Sequence, residues 1–318
     1  MKTVLIIAAI ILIIGAILVG VGCVLLQKNP PKNTNVVTVT KEYHIGEAPK
    51  QINVDSTVSC VEILPIEGDE WRVECKEKEN LHHTIELANG VLTIKQIDNR
   101  RWYEHIGIFS GLQPLSIIVY LPAQTYESLC IDSTSGSIQV AENFVFSSAN
   151  LKNTSGFIAM SASVEGDLTV KNTSGSITVD GNVSGNLSAN NTSGSIRILG
   201  GVNGNLAVKN NSGRIEVKDA TPLNVQIGNT SGGIRLENVI CQGEIKVANT
   251  SGFIDLERCD ALSFDLHTTS GGIRGSILTA KTFDCKSTSG GVHTPNDGNG
   301  GTFRARSTSG GINITVVE

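Results

Sequence analysis

The sequence contains few aromatic and few charged residues. Phe, Trp and Tyr make up 4% of its 318 residues, and Asp, Glu, Lys and Arg make up 17%. With 34 glycines as well, this composition favours thin, repetitive layers over one large globular core. The 25 Lys and Arg are outnumbered by 30 Asp and Glu, giving a net charge of −5. A nucleic-acid-binding surface needs an excess of basic residues, so we expect no nucleic-acid partner.

The cysteines and histidines lack the spacing of a metal or redox site. The sequence has seven cysteines but no CxxC pair. His82, His83, His267 and His293 also show no ligand spacing. We therefore predict no catalytic residues, no cofactor and no metal.

One long apolar run lies near the N-terminus. Residues 4–26 are apolar or glycine, which is enough to cross a bilayer core of about 30 Å at about 1.5 Å per residue. The sequence therefore predicts a single-pass membrane anchor over residues 1–27, followed by a linker over residues 28–35. A lipoprotein signal ending at Cys23 is the alternative. Lysines on both sides of the run, Lys2 against Lys28 and Lys32, leave its orientation open.

A Ser-Gly pair recurs throughout the rest of the chain at intervals of nineteen or twenty residues. A fixed period of this length indicates a repeat architecture in which each unit stacks on its neighbours. The ten glycines of these pairs are Gly136, Gly156, Gly175, Gly194, Gly213, Gly232, Gly252, Gly271, Gly290 and Gly310.

The positions around each glycine predict two short strands per repeat. Two residues after the glycine stands a column of β-branched residues: Ile138, Ile158, Ile177, Ile196, Ile215, Ile234, Ile254, Ile273, Val292 and Ile312. Each coil offers only about four inward apolar residues, so it must stack to be stable. We predict an all-β solenoid of 19–20-residue coils, regular over residues 129–318. Ile52 to Ile63 aligns with Leu129 to Val140 as a degenerate copy, so residues 36–128 are predicted to form an irregular β cap.

An asparagine precedes most of the Ser-Gly corners and has the parity of an inward residue. Stacked side-chain amides there can form a ladder that satisfies backbone groups of the corner. The members of this predicted corner ladder are Asn153, Asn172, Asn191, Asn210, Asn229 and Asn249.

Charges alternate on the outward side of the strand that follows the corner. Opposite charges one strand spacing apart, about 4.8 Å, are expected to pair and to fix the register of the coils. This predicted charge ladder consists of Arg197, Glu216, Arg235, Asp255 and Arg274.

The last repeat strand runs almost to Glu318, without a polar capping segment after it. An uncapped strand edge is a template for pairing with another chain. We therefore expect self-association at the C-terminal coil.

The sequence resembles a known family. The N-terminal apolar segment, the strand Ile117 to Pro122 that ends in proline, and the serial Thr-Ser-Gly-x-Ile units are similar to the bacterial putative-adhesin family of β-strand-repeat domains of unknown function. The resemblance covers about residues 36–318. It implies an envelope protein with its solenoid outside the membrane, sometimes associated with cell-envelope stress systems, and it brings no catalytic residues.

Three classes of function follow. The first is a membrane-anchored, non-catalytic binding or adhesion module on the extracellular side of the cell membrane, with an extracellular or envelope partner that the sequence does not identify. The alternative is an accessory or scaffold protein of an envelope stress system. A polysaccharide hydrolase or lyase ranks last. Its best candidates, Asp265 and Asp284, share an outward column and are expected about 5 Å apart, but basic residues flank them.

Overall fold

The computed structural model describes residues 38–100 and 115–317. The predicted anchor, the linker and residues 101–114 lie outside the described residues, as does Glu318. The described residues form strands and turns, and among them there is no helix long and apolar enough to cross a membrane.

Within residues 38–100 and 115–317, twenty-eight strands follow one another in chain order. The N-terminal strands are β1 (Val39–Ile45), β2 (Gln51–Ser56), β3 (Ser59–Ile66), β4 (Trp71–Glu77), β5 (Leu81–Ala88), β6 (Val91–Asp98) and β7 (Leu115–Pro122). The next are β8 (Thr125–Ser135), β9 (Ile138–Val140), β10 (Val145–Ser155), β11 (Ile158–Met160), β12 (Ser163–Val164), β13 (Leu168–Ser174), β14 (Ile177–Val179), β15 (Leu187–Ser193), β16 (Ile196–Ile198), β17 (Leu206–Ser212) and β18 (Ile215–Lys218). The last are β19 (Val225–Ser231), β20 (Ile234–Glu237), β21 (Glu244–Ser251), β22 (Ile254–Cys259), β23 (Ser263–Ser270), β24 (Ile273–Ile277), β25 (Thr282–Ser289), β26 (Val292–His293), β27 (Thr302–Ser309) and β28 (Ile312–Val316).

These strands form the two sheets of a β-solenoid, as the repeat predicted. Sheet 1 has the order β1-β4-β7-β3-β9-β11-β14-β16-β18-β20-β22-β24-β28-β26, and sheet 2 has the order β25-β27-β23-β21-β19-β17-β15-β13-β10-β8-β2-β6-β5. From β8 onward, each coil gives one strand to each sheet and pairs in parallel with its neighbours.

The core is the narrow space between the two sheets. The isoleucines after the corners stack in register, with Ile158 between Ile138 and Ile177, and these three residues are at most 1% exposed. Because each coil contributes only a few aliphatic side chains to the core, the burial of these side chains depends on the neighbouring coils on both sides.

The corner glycines adopt a backbone conformation that other residues rarely take. Their φ angles run from 110° at Gly136 to 152° at Gly290. A Cβ atom on Gly194 would lie 2.2 Å from the carbonyl oxygen of Gly175 in the preceding coil. Glycine is therefore required at the corner both by its φ and by the stacking distance.

The asparagines of the corner column are buried at the same place. Each Nδ2 donates a hydrogen bond to the carbonyl oxygen of a corner glycine in the preceding coil, for example Asn191 to Gly175, at distances between 2.7 and 3.0 Å. The six Oδ1 atoms are buried and accept no hydrogen bond from any described residue. The amides therefore bind the backbone of the neighbouring coil.

The N-terminal strands continue the stack and then cover its end. Ile52 pairs with Leu129 and Val61 with Ile138, which is the register of the degenerate repeat. β2 and β3 also pair with β6 and β7, so the unit of residues 51–66 lies inside the stack. β1, β4 and β5 then add antiparallel strands at this end.

At the other end the coils do not stack in chain order. The final repeat, β27 and β28, is inserted between the coil of β23 and β24 and the coil of β25 and β26. The expectation that the C-terminal coil forms the tip is therefore wrong, because residues 282–293 occupy that position. The eight residues 294–301 connect β26 to β27 and allow the chain to step back by one coil.

Candidate binding surface

A shallow groove crosses the outward face of sheet 1. It lies near the end of the stack that β25 and β26 form, which we call the open end. The groove has a volume of about 350 Å³, and we call it the Phe253 groove. The side chain of Phe253 is 52% exposed and forms one wall. Residues that line the groove include Phe253, Gly272, Arg274, Gly291, His293 and Asn313.

The floor of the groove is backbone, because glycines meet there. Ile312 pairs with Ile273 on one side and with Val292 on the other. The residue before each of these is a glycine, so Gly272, Gly311 and Gly291 lie side by side. The Phe253 ring lies over the first of them, since a Cβ atom on Gly272 would come within 3.2 Å of the ring.

Polar side chains form the opposite wall. The Arg274 guanidinium lies 5.1 Å from the centre of the Phe253 ring and is hydrogen-bonded to Asp255. That hydrogen bond raises the pKa of Arg274, which keeps the side chain charged. His293 and Asn313 continue the wall toward the open end, because they pair in register.

A second depression of about 440 Å³ adjoins the groove and shares Arg274 and Asn313 with it. Arg235 lies at its far side and forms ion pairs with Glu257 at 2.5 Å and with Glu237 at 3.3 Å. Together the two depressions form a polar strip with one exposed aromatic ring. Such a strip suits non-covalent recognition, in which the ring gives apolar contact and the flanking side chains give hydrogen bonds.

The charge ladder forms only in part. Arg197 lies 3.4 Å from Glu216, and Arg274 binds Asp255. Arg235 is in register between Glu216 and Asp255, but its guanidinium turns to Glu237 and Glu257, which lie two residues further along the strands. Sequence spacing found the column but could not show which carboxylate each arginine selects.

The expected proximity of Asp265 and Asp284 is wrong. Arg304 pairs in register with both, so a strand separates the two aspartates. Asp265 lies 3.3 Å from Lys246, and the Arg306 guanidinium hydrogen-bonded to Asp284 holds the pKa of that carboxyl below its usual value. The inserted final coil is the physical cause, and it removes the carboxylate pair on which the hydrolase interpretation rested.

A buried polar network that sequence spacing did not reveal lies in the cap. His83 Nδ1 lies 3.2 Å from Glu77 Oε1, and Lys41 Nζ lies 2.7 Å from Glu77 Oε2. Gln96 lies on the other side, with Nε2 3.3 Å from His83 Nε2, and its Oε1 accepts hydrogen bonds from the turn between β2 and β3. The network joins β1, β4, β5 and β6 across the two sheets.

The pKa values of Glu77 and His83 are lowered in this network, whereas the hydrogen bond to Glu77 raises the pKa of Lys41. Burial lowers the pKa of His83, which favours the neutral ring with Nδ1–H donating to Glu77. Burial alone would raise the pKa of Glu77, but the hydrogen bonds from Lys41 and His83 outweigh it, and the pKa lies below its usual value. The network connects strands of both sheets in the cap.

Comparison with known proteins gives a family model described as Toastrack DUF4097, which matches residues 49–237 and 202–318. These two matches together cover well over half of the chain. No protein with curated annotation is significantly similar to it in sequence.

Solved structures that match the chain include three from species of Parabacteroides and Bacteroides. A putative lipid binding protein from Parabacteroides distasonis is 18% identical, with a TM-score of 0.47, over 88% of this chain and 98% of that chain. A putative adhesin from Parabacteroides merdae is 12% identical, with a TM-score of 0.34, over 88% and 97%. A putative adhesin from Bacteroides fragilis is 12% identical, with a TM-score of 0.28, over 91% and 99%.

Proposed function

The chain belongs to the Toastrack DUF4097 family, and we propose that it is a non-catalytic binding module of the bacterial envelope whose Phe253 groove holds a hydroxyl-rich polymer, an envelope polysaccharide. The observation that supports this proposal is the exposed Phe253 ring beside a floor of glycine backbone. Phe253 directly precedes β22, and its half-exposed ring contacts the Arg274 guanidinium on one side and leaves the rest of its surface to a ligand.

The dimensions of the groove favour an extended ligand. From Phe253 to His293 it crosses four neighbouring coils, in the order β22, β24, β28 and β26. Strands that succeed one another at about 4.8 Å make this a track of about 14 Å. The track is open at the surface, so a long chain can lie in it without threading through the protein.

The polar wall favours hydroxyl groups over a strongly charged ligand. Arg274 and Arg235 are both paired with carboxylates, so the strip carries little net charge. The unpaired donors and acceptors of Asn313 and His293 face the same track. Hydrogen bonds from such groups give orientation, and the aromatic contact gives affinity.

We propose further that residues 4–26 hold the chain in the cell membrane as a single-pass anchor, with the solenoid on the extracellular side. A solenoid anchored in this way can present its outward faces to the cell wall. The scaffold role in an envelope stress system remains the alternative, and it requires a protein partner in place of a polymer.

Sedimentation with purified cell walls tests the proposal. Full-length protein in detergent is mixed with insoluble wall polysaccharide, and the bound fraction is measured over a range of polymer concentrations. We expect Phe253→Ala and Arg274→Ala each to weaken binding by about tenfold, which is the size of a typical anchor contact of about 1.4 kcal/mol.

Matched controls are available in the same columns. Phe157 is 41% exposed at the position equivalent to Phe253, and Arg197 is equivalent to Arg274. Phe157→Ala and Arg197→Ala lie far along the stack and are expected to leave binding unchanged. Equal losses in both sets, or no polymer binding by the parent protein, would refute the groove as the site.

A further inference from the structure

The open end of the solenoid exposes strand β25. β25 pairs with β27 on one side, and on its other side Asp297 and Gly298 bond only to residues 281–283, where the strand begins; at the opposite end of the stack the antiparallel strands β1, β4 and β5 are added. The inward residues Phe283, Cys285 and Ser287 are half-buried here, although the same columns are buried in the inner coils. Val292, on the adjoining strand, is 38% exposed.

The backbone of β25 alternates between its partner and the open side. Thr282 donates its N–H to Gly301, at the start of β27. Because residues of a parallel strand alternate in the direction of both backbone groups, Phe283, Cys285 and Ser287 direct theirs to the open side. The N–H of Phe283 is used by Asp297. The carbonyl of Phe283 and both backbone groups of Cys285 and Ser287 therefore face outward from the end.

The charges on β25 select one way for this edge to pair with itself. Asp284 and Lys286 lie on its outward side, two residues apart; the Lys286 side chain is 74% exposed, and the Asp284 carboxylate, which Arg306 also binds, is 57% exposed and open to a second cation. In an antiparallel pair centred on Cys285, Asp284 of each chain lies opposite Lys286 of the other. A shift by two residues in either direction places Asp opposite Asp or Lys opposite Lys, which is destabilising.

We propose that β25 forms an antiparallel pair with β25 of a second copy of this chain, centred on Cys285, so that two solenoids join end to end by their open ends. In this register the two Cys285 residues exchange backbone hydrogen bonds with each other, and the N–H of Ser287 donates to the carbonyl of Phe283 across the pair. Asp297 and Gly298 lie on the side of β25 that the incoming strand occupies, so pairing requires them to move aside, after which the N–H of Phe283 donates to the carbonyl of Ser287 across the pair. Asp284 and Lys286 occupy the closer, non-hydrogen-bonded positions, where side chains are nearest.

A second copy fits this edge better than an unrelated peptide. A lysine on an edge strand normally discourages pairing, because it finds no opposite charge on the incoming strand. Here the same strand supplies the complementary aspartate at the matching position. An isologous contact also closes after two chains, so the pairing does not propagate into fibres.

Oxidative cross-linking of the full-length protein in detergent tests the register. Copper(II)–phenanthroline accepts the electrons that two Cys285 thiols lose when they form a disulfide, and Cα atoms of such a pair, about 5.5 Å apart, permit this bond. A non-reducing gel is expected to show a linked dimer that is absent from Cys285→Ser. The dimer is expected to persist in Cys130→Ser and in Cys23→Ser.

Charge reversal distinguishes cross-linking in this register from cross-linking by random collision. Lys286→Asp turns two attractive contacts into two repulsive ones, and it is expected to lower the rate of cross-linking by about tenfold. The double variant Asp284→Lys/Lys286→Asp restores opposite charges and is expected to restore the rate. Reversal of the internal pair Lys246 and Asp265 is the control and is expected to change nothing.

Three results would overturn the proposal. One is a disulfide-linked dimer that still forms in Cys285→Ser. Another is a Lys286→Asp variant that cross-links as fast as the parent. The third is a ladder of higher oligomers, which indicates head-to-tail stacking of the open end on the cap. Circular dichroism of each variant checks that the solenoid is folded.

Discussion

At the scale of single residues, one carbonyl group of each corner has two roles. It accepts a hydrogen bond from an asparagine of the next coil, and it leaves no room for a Cβ atom on the next corner glycine. The carbonyl of Gly175 points along the stack, receives the Nδ2 of Asn191 at 2.7 Å, and lies where a Cβ on Gly194 would come within 2.2 Å. The positive φ of the glycine directs this carbonyl toward the next coil. The asparagine and the glycine of the repeat are therefore two parts of one contact, repeated in each coil that carries both residues.

Replacing a corner glycine tests this account. Gly194→Ala is expected to lower the free energy of unfolding by about 3 kcal/mol or more, because it adds backbone strain and a steric overlap. Gly228 is the matched control, since it lies in β19 with nothing within 4 Å of a Cβ. Gly228→Ala is expected to be neutral or slightly stabilising. Urea unfolding of both variants is the measurement, and equal stabilities would contradict the account.

At the scale of elements, the cap depends on a buried histidine that must stay neutral. The network of Lys41, Glu77, His83 and Gln96 connects both sheets at the point where antiparallel strands replace parallel ones. Glu77 and His83 have folded-state pKa values below those of the unfolded chain. In both cases protonation favours the unfolded state.

The cap is therefore expected to lose stability on acidification. The contribution of His83 is fully present above its unfolded pKa of about 6.5 and is lost as the pH falls from that value through the lower folded pKa, and Glu77 adds a further loss that begins below about 4.3. We expect His83→Gln to be less stable than the parent at pH 7.5 but to lose less between pH 7.5 and pH 5.5. Urea unfolding followed by tryptophan fluorescence reports on this end of the chain, because both tryptophans, Trp71 in β4 and Trp102, precede β7 in the sequence.

His82→Gln is the control for this experiment. His82 lies beside His83 on the opposite side of β5, forms no hydrogen bond with the network, and acts on the pKa of His83 only through a minor charge interaction. Its replacement is expected to preserve the slope of stability against pH. A His83→Gln variant with the slope of the parent would show that another group is responsible.

The sequence predicted the elements of the solenoid better than their order. Periodicity identified the inward columns, because every coil must bury the same positions, and the degenerate repeat at Ile52 to Ile63 pairs in the predicted register. Order was not predictable, since equivalent columns pair equally well with any neighbour. The arrangement of residues along the Phe253 groove follows that order, because the inserted last coil places Gly311 between Gly272 and Gly291.

At the scale of the whole molecule, the stack behaves as a one-dimensional array with unequal ends. One end of the described stack is covered by antiparallel strands, and the other presents β25 and β26. In such an array an inner coil is held from two sides and an end coil from one. The insertion therefore makes the final repeat, β27 and β28, more stable than the preceding repeat, β25 and β26, which lies at the end of the stack.

Hydrogen exchange of backbone amides measures this difference in stability directly. Backbone amides of β27 are expected to be protected at least about tenfold more strongly than those of Cys285 and Ser287 in β25, because local opening is easiest where a strand has one partner. Dilute Lys286→Asp protein is the sample, so that end-to-end association does not protect β25. The internal strand β23 serves as the reference for full protection. If the coils stacked in chain order, β25 would be protected and β27 would exchange quickly, which is the opposite pattern.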